Sequence, residues 1–220
     1  MSSDGALDGI RGVVLGAGAA TTAVLADDRV ARRWGQPSAL AGFTVGGLAG
    51  HLVRAVETIE IYLDEPEPPD EGLLAPSAYF APAVGAAGDV SGPVHRGVRQ
   101  RGEQAGSVGP AALLVEHRGR LDRLSARLAS EPASRRVTVA RGTARMLLDD
   151  YLRTRVVEIA VHADDLAASV GARPPHLAPE ATTVAIEVLV GIARATHGDV
   201  AVLRSLTRRE RDDVEALRVL

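Results

Sequence analysis

The segment from Thr143 to Val170 has the longest strong helical pattern in the chain and is apolar on most of its faces. It ends at Gly171, and Pro174 and Pro175 follow, as is typical beyond the end of a helix. A helix that is apolar nearly all round is normally buried. The segment therefore predicts a helix inside the protein.

One stripe of polar residues interrupts this apolar segment. Its members are spaced by four, three, four and three residues and so share one helix face; they are Tyr151, Arg155, Glu158, His162 and Asp165. An unpaired carboxylate in a protein interior costs on the order of several kcal/mol. The stripe therefore predicts partner side chains, a bound ion or a solvated cleft on this face.

Helical patterns also dominate the rest of the chain, and there is no series of strands with hairpin turns. We expect an all-α four-helix bundle with long connections and a short C-terminal helical extension. The single domain would span 1–220, with a core of about 5–197 and a tail at 198–220. The other helices are predicted over residues 4–33, 45–63, 111–128 and 180–196, and a further helical start is predicted at 91–104.

Local signals refine these boundaries. Thr44 is a good N-cap for the helix at 45–63, and Thr207 and Glu210 have the spacing of a capping box that opens a last short helix. Residues 64–92 predict a long loop with a short helix near 76–80, and residues 137–139 form a short β-like stretch in a connector. The wider region 64–110 is a candidate lid, because long loops in compact domains are often functional.

His51 lies at the edge of the apolar face predicted for the helix at 45–63. Together with Glu158 and His162 it offers two imidazole nitrogens and one carboxylate oxygen. Three protein ligands with an open position are the usual form of a catalytic zinc site, and nickel, iron or manganese also accept such ligands. Asp165 is then a candidate to orient His162, and Arg155 to neutralise Glu158 or an anionic substrate.

An internally paired stripe is the alternative to a metal site. In that case Glu158 pairs with Arg155 and His162 with Asp165, and His51 is a structural residue. The other histidines have no partners at ligand spacing, and we expect them to be surface or structural residues; they are His95, His117, His176 and His197.

The composition excludes several kinds of chemistry. The chain has no Cys, which excludes disulfides, Cys-liganded zinc and a thiol nucleophile of its own. All 25 basic residues are Arg, and the net charge is −3. The chain therefore lacks the excess of positive charge that is typical of nucleic-acid-binding proteins. No signal peptide and no apolar run of membrane-spanning length is present, so we expect a cytoplasmic protein without a membrane partner. A monomer or homodimer is expected.

Two segments carry a resemblance to a known family. Residues 43–52, FTVGGLAGHL, resemble the motif Trp-Thr-Val-x-Asp-Leu-x-x-His-Leu of the mycothiol-dependent maleylpyruvate isomerase N-terminal family, which belongs to the DinB-like metal-binding bundles. Residues 155–166 resemble its second motif, Arg-x-x-Glu-x-x-x-His-x-x-Asp-Leu. Phe43 replaces the usual Trp, and Gly47 stands where the motif commonly has Asp, which implies the loss of an outer-shell contact.

The resemblance implies a divalent metal, most often zinc, held by His51, Glu158 and His162. The remaining coordination positions would take water and the thiol of mycothiol, a low-molecular-weight cosubstrate. The family's isomerase carries an additional C-terminal domain, and only about one short helix pair follows Gly198. The resemblance therefore favours a mycothiol S-transferase, or a metal-binding relative, over maleylpyruvate isomerisation itself.

Three hypotheses follow from these observations. The first is a metal-dependent transferase or isomerase in which a metal-activated thiolate attacks a small electrophile, supported by Arg155 and Asp165. The second is a non-catalytic metal-binding bundle that acts as a sensor or binds a partner. The third is a bundle whose polar stripe is only internally paired.

Overall fold

A computed structural model gives the architecture of the chain and describes residues 9–81, 92–211 and 215–219. The first helices are α1 (Gly9–Leu25), α2 (Asp28–Arg32), α3 (Val45–Asp64), α4 (Pro76–Tyr79), α5 (Pro93–Gly106) and α6 (Pro110–Ser130). After a hairpin of β1 (Arg136–Val139) and β2 (Ala144–Leu147), the chain forms α7 (Leu148–Val170), α8 (Pro179–His197) and α9 (Asp199–Thr207). Short 3-10 turns lie at Ala140–Gly142 and Arg209–Arg211.

The helix α7 runs through the centre of the molecule, as its apolar pattern predicts. It packs against α1, α3 and α8, and its buried side chains contribute to two hydrophobic clusters. One cluster includes Leu152 and Ile159, and the other includes Ala163 and Leu166. The polar stripe therefore lies on a helix with a core at both of its ends. The predicted all-α bundle is confirmed, with one small sheet added.

That sheet is an antiparallel hairpin in which Val137 pairs with Met146 and Val139 with Ala144. The side chains of Val137, Val139 and Met146 are fully buried, so the hairpin closes one end of the core. The backbone of Leu74 also donates a hydrogen bond to the carbonyl of Arg145 at 2.8 Å. This contact ties the connection that precedes α4 to the hairpin.

Three predicted boundaries were wrong. The helix expected over 4–33 ends at Leu25, because Asp27 caps a separate helix by accepting a hydrogen bond from the backbone N–H of Arg29 at 2.8 Å. The helix expected from Thr143 begins only at Leu148, because residues 144–147 pair with β1. Thr207 is the last residue of α9 and not an N-cap, and its hydroxyl donates to the Leu203 carbonyl; the short helix expected after it is a 3-10 turn at Arg209–Arg211, and residues 212–214 lie outside the described residues.

The short helix predicted near 76–80 is α4, and residues 93–106 of the candidate lid form the regular helix α5. Residues 82–91 of that region lie outside the described residues. Within the described ranges, none of the helices combines the length and apolarity needed to span a bilayer.

Candidate metal centre

His51 lies in the second turn of α3, whose start is fixed by a strong N-cap. As predicted, the hydroxyl of Thr44 accepts a hydrogen bond from the backbone N–H of Gly47 at 2.8 Å. Most apolar side chains of α3, including Leu48, Leu52 and Val56, are buried against the rest of the bundle. This packing turns His51 towards the polar stripe of α7.

Three side chains from α3 and α7 converge on one point. The Nε2 atom of His51 lies 3.6 Å from Oε2 of Glu158, and the Nε2 atom of His162 lies 3.3 Å from the same oxygen. The two imidazole rings are 4.5 Å apart between centroids. One donor atom from each of the three residues lies within 4.8 Å of the others, and no other described residues form such a group.

The cluster is neither sealed nor freely exposed. The side chains of His51, Glu158 and His162 are 18%, 20% and 17% exposed, respectively. Each side chain therefore keeps a small solvent-exposed fraction, and the ring of Phe43 packs beside His51 at a centroid distance of 5.5 Å. The donor set therefore matches an open metal site with two nitrogen ligands and one oxygen ligand.

Asp165 fixes the orientation of the His162 ring. Its Oδ2 atom lies 3.0 Å from Nδ1 of His162, so Nδ1 carries the proton that this hydrogen bond needs. The other nitrogen, Nε2, then faces Glu158 and His51. This carboxylate–imidazole pair is the arrangement that commonly orients metal-ligating histidines.

The charges of the three converging residues are strongly coupled. Burial alone would lower the pKa of His162, but its hydrogen bonds to Asp165 and Glu158 raise that pKa to about 9. Burial and the neighbouring charge of His162 lower the pKa of His51 to about 4. Burial alone would raise the pKa of Glu158, yet the hydrogen bond from His162 and the charge of Arg155 hold it far below its usual range. Without a metal, a proton on His162 thus balances the Glu158 carboxylate.

Arg155 lies one turn before Glu158 and is buried between two aromatic rings. Its guanidinium carbon is 4.7 Å from the ring centre of Tyr151 and 5.1 Å from that of Tyr79. Its Nη2 atom is 4.0 Å from the Glu158 carboxylate and has no hydrogen-bond acceptor within the described part of the chain. The expected Glu158–Arg155 pairing is therefore an electrostatic contact at 4.0 Å, which is too long for a hydrogen bond.

The remaining member of the stripe, Tyr151, has a structural role. Its hydroxyl donates a hydrogen bond to Oγ1 of Thr58 on α3 at 2.7 Å, and its side chain is fully buried. Burial raises the pKa of Tyr151, so the phenol stays protonated. The stripe thus divides into an end that joins α7 to α3 and an end that carries the candidate ligands.

Two residues near this site were missed from the sequence. Tyr79 covers Arg155 from α4; its only sequence signal was a position in the short helix predicted near 76–80. Glu103, on α5, accepts hydrogen bonds from both the backbone N–H and the hydroxyl of Thr44. The Glu103 carboxylate occupies the space where a side chain at position 47 would lie.

The structure gives different surroundings to two of the other histidines. His117 is buried, and its Nε2 atom lies 3.0 Å from both the hydroxyl of Thr21 and the carbonyl oxygen of Gly18, which agrees with a structural role. His176 is exposed. Neither belongs to the three-residue group.

Comparison with known proteins places the chain in a family. The model of the mycothiol maleylpyruvate isomerase N-terminal domain matches residues 15–167, which is more than half of the chain and includes all three converging residues. The chain belongs to this family. No curated protein and no solved structure matches it.

Proposed function

We propose that this member of the mycothiol maleylpyruvate isomerase N-terminal family binds one divalent metal ion, with zinc the expected ion, through His51, Glu158 and His162. Nickel, iron and manganese are compatible with the same ligands. The observation that carries the proposal is the convergence of two imidazole nitrogens and one carboxylate oxygen within 4.8 Å, on side chains that are each partly exposed. An internally paired stripe explains the His162–Asp165 contact, but it gives no reason for His51 to share Glu158.

We further propose that the bound metal serves a thiol cosubstrate, which in this family is mycothiol. A divalent ion in this site would lower the pKa of a coordinated thiol and so supply a thiolate near neutral pH. The chain has no Cys, so the reactive sulfur must come from outside. The activity would be a transferase or isomerase reaction in which that thiolate attacks a small electrophile.

The charges around the cluster support an anionic cosubstrate. Glu158 and Asp165 contribute two carboxylates and Arg155 one guanidinium, whereas Arg54 is paired with Glu57 at 2.6 Å. Both histidines must be neutral to bind a metal. A divalent ion would then leave one net positive charge, which a thiolate would neutralise and a neutral ligand would not.

The surrounding residues of this chain have defined tasks in the proposal. Asp165 holds the proton of His162 on Nδ1 and leaves Nε2 free as a ligand. Arg155 supplies a permanent positive charge beside Glu158, and the two tyrosine rings keep it in place. Arg155 and Asp165 are therefore supporting residues.

Cobalt substitution tests this proposal directly. Tag-free protein is loaded with Co²⁺ and titrated with mycothiol, and a thiolate-to-cobalt charge-transfer band in the near ultraviolet is expected. Oxidised mycothiol is the control ligand, and the metal-loaded protein is then assayed for conjugation of a fluorogenic electrophile. Metal binding without the band would remove the thiol chemistry and favour the second hypothesis, a non-catalytic metal-binding bundle.

A further inference from the structure

The helix α3, which carries His51, starts in an unusual way. In a capping box, the side chain of the third helical residue reaches back to the N–H of the N-cap residue. Here the N-cap is Thr44 and the third helical residue is Gly47, which has no side chain. The N–H of Thr44 nevertheless donates a hydrogen bond, of 2.9 Å, to the carboxylate of Glu103 on α5.

Glu103 binds both polar groups of the cap. The hydroxyl of Thr44 lies 2.8 Å from one Glu103 carboxylate oxygen and 3.0 Å from the other, while it accepts the N–H of Gly47. The negative charge also lies at the positive end of the α3 dipole. A Cβ atom on Gly47 would overlap this carboxylate. The absence of a side chain at Gly47 therefore leaves the space that the Glu103 carboxylate occupies.

The same contact sets the distance between α3 and α5. A Cβ on Gly50 would overlap the backbone of Gly102, and a Cβ on Gly106 would overlap the carbonyl of Gly46, so the two backbones touch. A Cβ on Gly102 would lie only 3.1 Å from Cβ of His51. The backbone of α5 thus forms the surface against which His51 rests, one residue from Glu103.

We infer that Glu103 is a positioning residue for His51: it caps α3 from a neighbouring helix and holds α5 against the base of the histidine. This inference rests on the proposed metal site for its functional consequence, because its effect on the site is exerted through a proposed ligand. The capping contact itself does not depend on a metal.

A rescue experiment tests the inference. Glu103→Ala is expected to lower the Tm of the metal-free protein by roughly 4–8 °C, since two hydrogen bonds to a charged group are lost. It is also expected to weaken zinc binding, measured by chelator competition, by less than the ~10–100-fold typical of a direct outer-shell partner. Gln104→Ala, an exposed change on the same helix, is the control and should alter neither quantity.

The decisive variant combines Glu103→Ala with Gly47→Asp. On its own, Gly47→Asp would put a side chain into the space of the Glu103 carboxylate and bring two carboxylates together, so it should destabilise the protein or prevent folding. In the double variant the new carboxylate can cap Thr44 from its own helix. We expect the double variant to recover most of the lost Tm and zinc affinity.

Each outcome of this cycle bears on the inference. A double variant that is no more stable than Glu103→Ala would overturn the capping role. Recovery of Tm without any change in zinc affinity among variants would overturn the positioning role. Failure of the wild type to bind zinc would instead count against the proposed function, and the Tm cycle would still decide whether Glu103 caps α3.

Discussion

The Oδ2 atom of Asp165 lies 3.0 Å from Nδ1 of His162, while Nε2 of the same ring lies 3.3 Å from Glu158. The His162 ring thus lies between the carboxylates of Asp165 and Glu158. The contact with Asp165 uses Nδ1 and leaves Nε2 as the candidate ligand atom. Nε2 faces the same Glu158 oxygen that His51 approaches.

Asp165→Asn is expected to weaken zinc binding by ~10–100-fold, because an amide holds the Nδ1 proton less strongly than a carboxylate does. Asp164→Asn is the matched control, since Asp164 is exposed and adjacent but outside the cluster. Competition with a chromogenic chelator measures both affinities. Equal zinc affinities for the two variants would show that Asp165 does not orient His162 for metal binding.

The stability of the metal-free protein should fall between about pH 6.5 and pH 9. The pKa of His162 is raised from 6.5 to about 9, so the folded state holds this proton more tightly than the unfolded state. The resulting stabilisation is complete below pH 6.5 and is lost as the pH rises through about 9. Urea unfolding at several pH values should show this loss in the wild type and not in His162→Gln. The same loss in the variant would assign it to another group.

Metal binding should follow the opposite trend. Because the metal must displace the proton from His162, zinc affinity is expected to rise about tenfold per pH unit until it levels off near pH 9. Chelator competition at constant ionic strength measures this dependence. An affinity that is constant over this range would contradict a protonated His162 in the metal-free protein.

Arg155→Met is expected to destabilise the metal-free protein, because the carboxylate of Glu158 loses its permanent countercharge. The cost should stay below the roughly 3–5 kcal/mol of a broken buried ion pair, since the two groups are 4.0 Å apart. A bound metal would supply the missing charge, so zinc should raise the Tm of the variant more than that of the wild type. Equal increases would show that Arg155 does not serve Glu158.

Tyr151→Phe should cost about 1 kcal/mol of unfolding free energy through the lost hydrogen bond to Thr58, and it should leave zinc affinity unchanged. Thr58→Ala and the double variant complete a cycle that isolates this contact. A marked loss of zinc affinity in Tyr151→Phe would contradict the division of the stripe into a structural end and a ligand end.

Much of the fold follows from local pattern. The helix α3 was predicted almost to its ends because Thr44 supplies a cap and Glu65 and Pro66 follow its last turn. The strand β2 could not be found in this way, because residues 144–147 are good helix formers and become a strand only by pairing with β1. Tertiary pairing therefore overrides helix propensity at this point.

The candidate ligands were also predictable, because Glu158 and His162 are polar residues one turn apart on an apolar helix. Their convergence with His51 depends on how α3 packs against α7, which no local pattern reports. Glu103 was missed for a similar reason: its partner Thr44 is 59 residues away, and the only sign of their contact was the missing side chain at Gly47.

Metal content tests the central claim most directly. Protein purified without a histidine tag should contain about one divalent ion per chain by elemental analysis, and His51→Ala, Glu158→Gln and His162→Ala should each lose it. His176→Ala, which changes an exposed histidine outside the cluster, should retain it. A wild-type protein that binds no divalent metal, even after incubation with zinc, would contradict the account and leave the polar stripe as an internally paired structural feature.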